Sequence, residues 1–140
     1  GEVHDTGYDK HLRELAEGDA RIRLHLEFVG DDELQVYLNA CDVCVLPYRH
    51  VTTSGAGILA FSFGVPIIAP RMGCFVELVG DAGERGVLYD PAAENGLALA
   101  LQRARGCDLS AMRRACADHA RRLDWESIAR QHAAMYEQCA

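Results

Sequence analysis

Two short apolar runs, DVCVLP at 42–47 and VPIIAP at 65–70, constrain the fold of this chain more than any other feature. Each run is continuous and bounded by turn residues, which is typical of a strand buried on both faces of a parallel sheet. GVLYD at 86–90 is a third run of this kind, and helical patterns separate the three. This alternation predicts an α/β domain in which a parallel sheet is flanked by helices in three layers.

The remaining segments predict one more strand and a set of helices. RIRLHLEFV alternates apolar and polar residues, which predicts a strand over 22–28. Helices are expected over 8–17, 31–40, 54–63, around Glu77, from Pro91 to 105, and over 109–123 and 125–138. The last two form a C-terminal helical tail, so we expect a single domain over 1–140 on which the helices of 107–140 pack.

Composition excludes several classes of partner. The net charge is −7, so a general electrostatic attraction to nucleic acid or to an anionic membrane is not expected. No apolar run reaches the length of a membrane span. The six cysteines are scattered, which is typical of reduced thiols in a cytoplasmic protein. Cys41 and Cys44 form a C-x-x-C at the end of a helix, where we expect core residues rather than a redox or zinc pair.

The segment between the first two apolar runs carries small and hydroxyl residues and no acid. It follows the carboxyl end of a predicted strand, where open parallel sheets bind their ligands. A helix beginning near Ser54 would offer unpaired N–H groups to an anion, and Gly55 and Gly57 would let a ligand approach the backbone. Arg49 and His50 could add positive charge. The alternative is that the small residues serve close packing of a buried helix; we favour a phosphate or diphosphate site.

Motifs for catalysis or metal binding are absent from the sequence. There is no Walker loop and no G-x-G-x-x-G, and Ser54 lies in T-S-G rather than G-x-S-x-G. The six histidines show no metal-binding spacing, and His119 and His132 resemble surface residues of helices. We therefore assign no catalytic residue, no metal and no other cofactor. Glu77 could cap its helical turn or contact a ligand, and both possibilities stay open.

Taken in order, five segments resemble the C-terminal, nucleotide-sugar-binding domain of GT-B glycosyltransferases of the "glycosyl transferases group 1" class. The resemblance covers nearly the whole chain and is carried by RIRLHLEFVGDDELQVYLNACDVCVLPY, SFGVPIIAP, MGCFVELVGD, GVLYDP and LDWESIARQHAAMYEQ. It implies a Rossmann-like sheet and transfer of a sugar from a nucleotide-diphosphate sugar to an acceptor. Two alternatives are a sugar-nucleotide epimerase of the same architecture and a non-catalytic α/β binding module.

The resemblance and the anion-site argument together give one set of expected contacts with the donor and its diphosphate. These residues are Arg49, His50, Thr53, Ser54, Gly55, Arg71, Gly73 and Glu77. The glutamates of the family's E-x7-E motif fall on Val51 and Leu59, so both carboxylates are absent and Leu59 cannot contact a ribose through one.

The chain also lacks counterparts of the family's first two strands of this domain and of its N-terminal domain. We therefore expect a fragment that is inactive in isolation and is completed by an N-terminal domain or a second chain. The two strands would lie between those predicted at 22–28 and 42–47. An open position in mid-sheet exposes backbone edges. We therefore expect one of two arrangements. Either the strands predicted at 22–28 and 42–47 pair directly with each other, or another chain, including a second copy, fills the space between them.

Overall fold

The computed structural model describes residues 6–138, which divide into two compact units with a boundary between Tyr37 and Leu38. The first unit contains α1 (Thr6–Ala16), a segment without helix or strand over 17–30, and most of α2 (Asp31–Ala40), within which the boundary falls. The prediction of a strand over 22–28 is wrong, because these residues pair with no strand among the residues described. Ile22 and Phe28, which were to share a buried face, are 47% and 73% exposed. An alternating pattern makes a strand only where a neighbouring strand accepts its backbone hydrogen bonds.

The sheet of the second unit has three parallel strands in the order β1-β2-β3: β1 (Cys44–Val45), β2 (Ile67–Pro70) and β3 (Gly86–Tyr89). The predicted pairing of β1 with a strand at 22–28 is therefore not made in the described residues. All four residues of β2 are buried, as expected for the central strand of a covered sheet. Gly86 lies beside Ile67, and a methyl group added there would come within 2.1 Å of the Ile67 carbonyl oxygen. Only glycine permits this close pairing of β2 and β3.

Helices cover both faces of this sheet, which confirms the α/β architecture. Their bounds are α3 (Gly55–Ser62), α4 (Cys74–Val79), α5 (Gly96–Ala104), α6 (Leu109–Arg121) and α7 (Trp125–Gln138). One core cluster includes Ile67, together with Phe61 of α3, Phe75 of α4 and Cys116 of α6. A second cluster joins Ile68 to α5. Because successive strand residues point to opposite faces, the two clusters lie on the two sides of the sheet.

The sequence predicts that α5 begins at Pro91, but in the structure the helix begins at Gly96. The Asp90 carboxylate accepts a hydrogen bond from the Ala92 N–H at 2.9 Å, and the Asp90 carbonyl accepts one from Ala93 at 3.2 Å. This local bonding holds residues 91–95 in turns. Aspartate side chains compete with helical hydrogen bonds in this way, which delays the start of the helix.

Helix α6 runs antiparallel to α3 and brings its C-terminal end to the carboxyl edge of the sheet. A methyl group at Gly64, just past the end of α3, would lie 3.4 Å from the Arg113 carbonyl oxygen in the first part of α6. Further along, the His119 ring contacts Phe61 of α3. The Arg113 guanidinium anchors the helix by donating to the Cys41 carbonyl at 2.7 Å.

The last helix, α7, buries none of its described side chains. In residues 6–138 no helix combines the length and the apolar character that crossing a membrane would require.

Candidate functional site

The loops that follow β1 and β2 are in direct contact at the carboxyl edge of the sheet. Gly73 has φ +50°, and a methyl group there would lie 2.5 Å from the Val51 carbonyl oxygen and 3.0 Å from the Val51 Cγ1. The Tyr48 and Phe75 rings add a tilted contact with centroids 5.6 Å apart. The chain after β1 is therefore held against the turn that precedes α4, and together they form the floor of the candidate site.

The start of α3 presents two free backbone donors at this edge. Ser54 is 4% exposed, and its Oγ accepts a hydrogen bond from the Gly57 N–H at 3.1 Å. This bond caps the helix. The N–H groups of Gly55 and Ala56 have no acceptor within the described residues. Unpaired amides at a helix start attract anions, and the helix dipole adds to this attraction.

The two glycines of α3 have different roles. A methyl group at Gly55 would meet no atom within 4 Å, so the backbone there is open to a ligand. A methyl group at Gly57 would lie 3.3 Å from the Leu78 side chain, and Gly57 is buried. The expectation that Gly57 admits a ligand is therefore wrong: its small size serves the packing of α3 against α4.

Two cavities are lined by residues of the loop between β1 and α3, and they differ in charge. The basic cavity has a volume of about 440 Å³ and is lined by Arg49, His50, Val51, Thr52 and Met72. The second, which we call the α6 cavity, has a volume of about 240 Å³ and lies between α3, α4 and the end of α6. Its lining consists of Thr53, Ser54, Ile58, Cys74, Glu77, Leu78, His119 and Leu123.

The remaining expected contacts lie elsewhere on the same edge. Arg71 lines a separate cavity of about 640 Å³ with Tyr89, Asp90 and part of α5, and its N–H donates to the Tyr89 carbonyl at 2.7 Å. Gly73 and Glu77 border a further cavity of about 530 Å³. The structure thus brings Arg49 together with His50, and Thr53 together with Ser54 and Glu77, whereas Arg71 lines a different cavity from both groups.

Arg85, in the segment before β3, holds the end of α4, the helix that carries Glu77. The Arg85 guanidinium donates to the Leu78 carbonyl at 2.6 Å and to the Glu77 carbonyl at 3.1 Å. These bonds satisfy carbonyl groups at the end of α4, where a cation also complements the helix dipole. The Glu77 carboxylate itself accepts no hydrogen bond from the described residues, so it remains available to the cavities on either side.

His119 was expected on the surface, but it is half-buried and lines the α6 cavity. Its ring meets Phe61 edge-on, with centroids 5.8 Å apart at 87°. Burial lowers the pKa of His119, and the nearby Arg85 and Arg122 lower it further against the opposing effect of Glu77. The imidazole is therefore neutral at pH 7.

The sequence did contain a signal for the position of His119. On α6, Cys116 is buried and Ala120 packs against the first core cluster. Position 119 follows Cys116 by three residues, so it falls on the same side of the helix. A search for the apolar stripe of α6 would have placed His119 toward the core rather than in solvent.

Cys41 and Cys44 pack against the first core cluster, in agreement with the structural interpretation of this pair. Burial raises the pKa of both thiols, which is the opposite of the shift that activates a redox cysteine. Among residues 6–138, no group of three or more His, Cys, Asp or Glu side chains is arranged to hold a metal ion.

The parallel sheet, covered by helices on both faces, matches the α/β domain of a GT-B glycosyltransferase. Residues 2–105 match the family described as "Glycosyl transferases group 1", and the chain belongs to this family. The resemblance noted in the sequence is thereby confirmed.

Individual relatives agree with this assignment. The chain is 32% identical over 114 residues to MMP alpha-(1->4)-mannosyltransferase of Mycolicibacterium hassiacum, covering 78% of this chain and 27% of that protein. It is 40% identical over 52 residues to GDP-mannose:glycolipid 4-beta-D-mannosyltransferase of Xanthomonas campestris pv. campestris, covering 37% of this chain and 15% of that protein. The structure of sucrose-phosphate synthase from Thermosynechococcus elongatus matches with a TM-score of 0.75 and 26% identity. That match covers 95% of this chain and 34% of the synthase, so the chain spans about a third or less of each of these proteins.

Proposed function

We propose that this chain forms the donor-binding side of a glycosyltransferase that moves a sugar from a nucleotide-diphosphate sugar to an acceptor. The observation that carries the proposal is the start of α3. The N–H groups of Gly55 and Ala56 have no partner within the described residues, and the space in front of Gly55 is open. Arg49 and His50 line the basic cavity together with Thr52, which precedes the cap Ser54 by two residues. Unpaired amides and a guanidinium on one loop suit a diphosphate.

The same groups would assist the reaction as well as binding. When the bond between the sugar and the diphosphate breaks, negative charge develops on the leaving oxygen. Preorganised N–H donors and a guanidinium stabilise such charge more strongly in the transition state than in the ground state. We assign this role to the Gly55 and Ala56 amides and to Arg49.

Mannose is the sugar that we propose to test first. Two relatives are named as mannosyltransferases, and one of these names includes GDP-mannose. The domain has no carboxylate at Val51 or Leu59, so recognition of the nucleoside relies on other contacts. We propose a cytoplasmic location, which is supported by the five cysteines of the described chain being free thiols.

Acceptor binding and turnover are assigned to parts of a longer protein or to a partner chain. The relatives are about three or more times as long as the segment that matches this chain. We therefore expect the 140 residues to bind a donor without transferring its sugar. A second copy of the chain is a further possible partner, and sedimentation of the chain with and without donor tests it.

Calorimetric titration with GDP, GDP-mannose, UDP and UDP-glucose tests the proposal, with Gly55→Ala as the decisive variant. A helical Cβ tilts toward the N-terminus, so the added methyl group would stand where the diphosphate approaches. Because it meets no protein atom within 4 Å, folding is unaffected. We expect affinity to fall by about tenfold, or about 1.4 kcal/mol. Gly106→Ala is the matched control, since its methyl group would meet only the Arg103 carbonyl at 3.6 Å.

The proposal fails if the unmodified chain binds none of the four nucleotides, or if Gly55→Ala binds them as tightly as Gly106→Ala does. A pair of arginine variants adds a second comparison. Arg49→Met should weaken nucleotide binding, with a loss that shrinks as salt is raised. Arg71→Met removes a charge from a different cavity and should have the smaller effect. The reverse order would move the diphosphate to the Arg71 cavity.

A further inference from the structure

We propose that His119 is a specificity-determining residue that binds the sugar moiety of the donor within the α6 cavity. The inference rests on the proposed function, and it concerns a residue of α6, outside the segments in which the sequence placed donor contacts. Three helices contribute polar groups to this cavity: Ser54 caps α3, Glu77 lies on α4 and His119 on α6. The cavity adjoins the unpaired amides of α3 through Thr53 and Ser54, which share the same turn.

The basic cavity and the α6 cavity differ in the charge of the residues that line them. Arg49 and His50 line the basic cavity, whereas no lysine or arginine is found among the residues that line the α6 cavity. A diphosphate requires cations or N–H donors, and a neutral hydroxylated ring does not. The phosphates therefore belong at the α3 amides and the basic cavity, and the uncharged part of the donor belongs in the α6 cavity.

The volume of the α6 cavity also indicates that it holds the sugar rather than the whole donor. The α6 cavity has a volume of about 240 Å³. Sites for drug-sized molecules occupy roughly 300–1,000 Å³, so this cavity is too small for a whole nucleotide and suits a single ring. Ile58, Leu78 and Leu123 supply apolar surface, against which the C–H groups of a sugar ring can pack.

The polar groups of the α6 cavity match the hydrogen-bonding capacity of sugar hydroxyls. Neutral imidazole offers one donor and one acceptor, and neither ring nitrogen of His119 bonds within the described residues. The Ser54 Oγ accepts from Gly57, which leaves its own O–H to donate. The Glu77 carboxylate can only accept. A hydroxyl group both donates and accepts, so each of these three side chains can pair with one.

Packing holds the His119 ring in place before any ligand arrives. The edge-on contact with Phe61 fixes the ring, and Phe61 itself is fully buried in the first core cluster. Preorganised polar groups give larger discrimination than mobile ones, because a ligand that lacks the matching group leaves them unpaired.

The test compares the dissociation constants of GDP and GDP-mannose for the full chain and three histidine variants. His119→Ala removes the side chain, while His119→Phe retains the ring and its contact with Phe61 but has no nitrogen. We expect both to lose about tenfold in affinity for GDP-mannose and to retain GDP affinity within about twofold. His132→Ala, on the exposed α7, is the matched control and should bind both ligands as the unmodified chain does.

The outcomes distinguish this inference from the proposed function. If the unmodified chain binds GDP and GDP-mannose but His119→Phe changes neither constant, or changes both equally, the role of His119 is refuted and donor binding stands. If the unmodified chain binds neither ligand, both proposals fail for this donor. A His119→Asn variant, whose amide also donates and accepts, should recover part of the GDP-mannose affinity; a value equal to that of His119→Ala would count against hydrogen bonding.

Discussion

Substitution of Gly73 by alanine should separate the two loops that build the candidate site. Gly73 has φ +50°, a conformation that costs a residue with a side chain about 1–3 kcal/mol. The new methyl group would also lie 2.5 Å from the Val51 carbonyl oxygen, where no side-chain carbon is tolerated. Overpacking of this kind costs about 1–3 kcal/mol more. Because a shift of the loop relieves both effects together, we expect a loss of about 2–4 kcal/mol in the free energy of unfolding.

Urea denaturation monitored by circular dichroism measures this loss, and calorimetry on the same sample measures nucleotide affinity. Gly106→Ala is again the control, because position 106 has neither a positive φ nor a close neighbour. We expect Gly73→Ala to lower both stability and GDP affinity, since the loop that carries Arg49 and His50 loses its support. A variant within about 0.5 kcal/mol of the unmodified chain would refute the claim that the loops need a glycine here.

Three smaller predictions concern Ser54, Cys116 and His119. Ser54→Ala should cost about 1 kcal/mol of unfolding free energy, because the hydroxyl caps α3, and an unchanged urea midpoint would show that the cap contributes nothing. Burial raises the pKa of the Cys116 thiol to about 11, so iodoacetamide at about pH 8 should label it only after unfolding; mass spectrometry detecting native labelling would contradict this. The pKa of His119 is lowered by burial and by Arg85 and Arg122, so the unfolded chain binds the extra proton and stability should fall as pH drops below about 6.5. His119→Gln should flatten this part of the pH profile of urea denaturation, and a slope equal to that of the parent chain would exclude His119 as its source.

The central strands were predictable because their continuous apolar residues must be buried whatever the neighbouring elements are. A continuous run such as VPIIAP must be buried on both faces, and β2 is the middle strand of the sheet. The segment at 22–28 carries a pattern that depends on a neighbour, and no strand among the described residues pairs with it. Its alternation therefore predicted a strand that does not form. An alternating pattern shows that a segment can form a strand, but the strand forms only where the rest of the chain supplies a neighbouring strand.

The candidate site was predictable in its backbone and less so in its side chains. The helix start at Ser54 and the open approach at Gly55 follow from local chemistry, which depends on residues three or four positions apart. The grouping of Thr53, Ser54 and Glu77 with His119 depends on how α6 crosses α3. That crossing is fixed by long-range contacts, such as the hydrogen bond from Arg113 to Cys41, which no short motif encodes.

The overall charge of the chain constrains how such a site can capture a donor. With a net charge of −7, the protein as a whole repels a diphosphate. At physiological ionic strength, charges further away than about 8 Å are largely screened, so the groups within that distance decide the sign of the local field. From Tyr48 to Pro70 the chain carries no acid, so the near groups are Arg49, the α3 amides and the Glu77 carboxylate of α4, which lines the α6 cavity with Ser54. Lower salt extends the reach of the distant acids as well as that of Arg49, so it should strengthen binding less than for a basic protein. The proposed donor binding therefore depends on short-range N–H donation, to which the open backbone at Gly55 gives access.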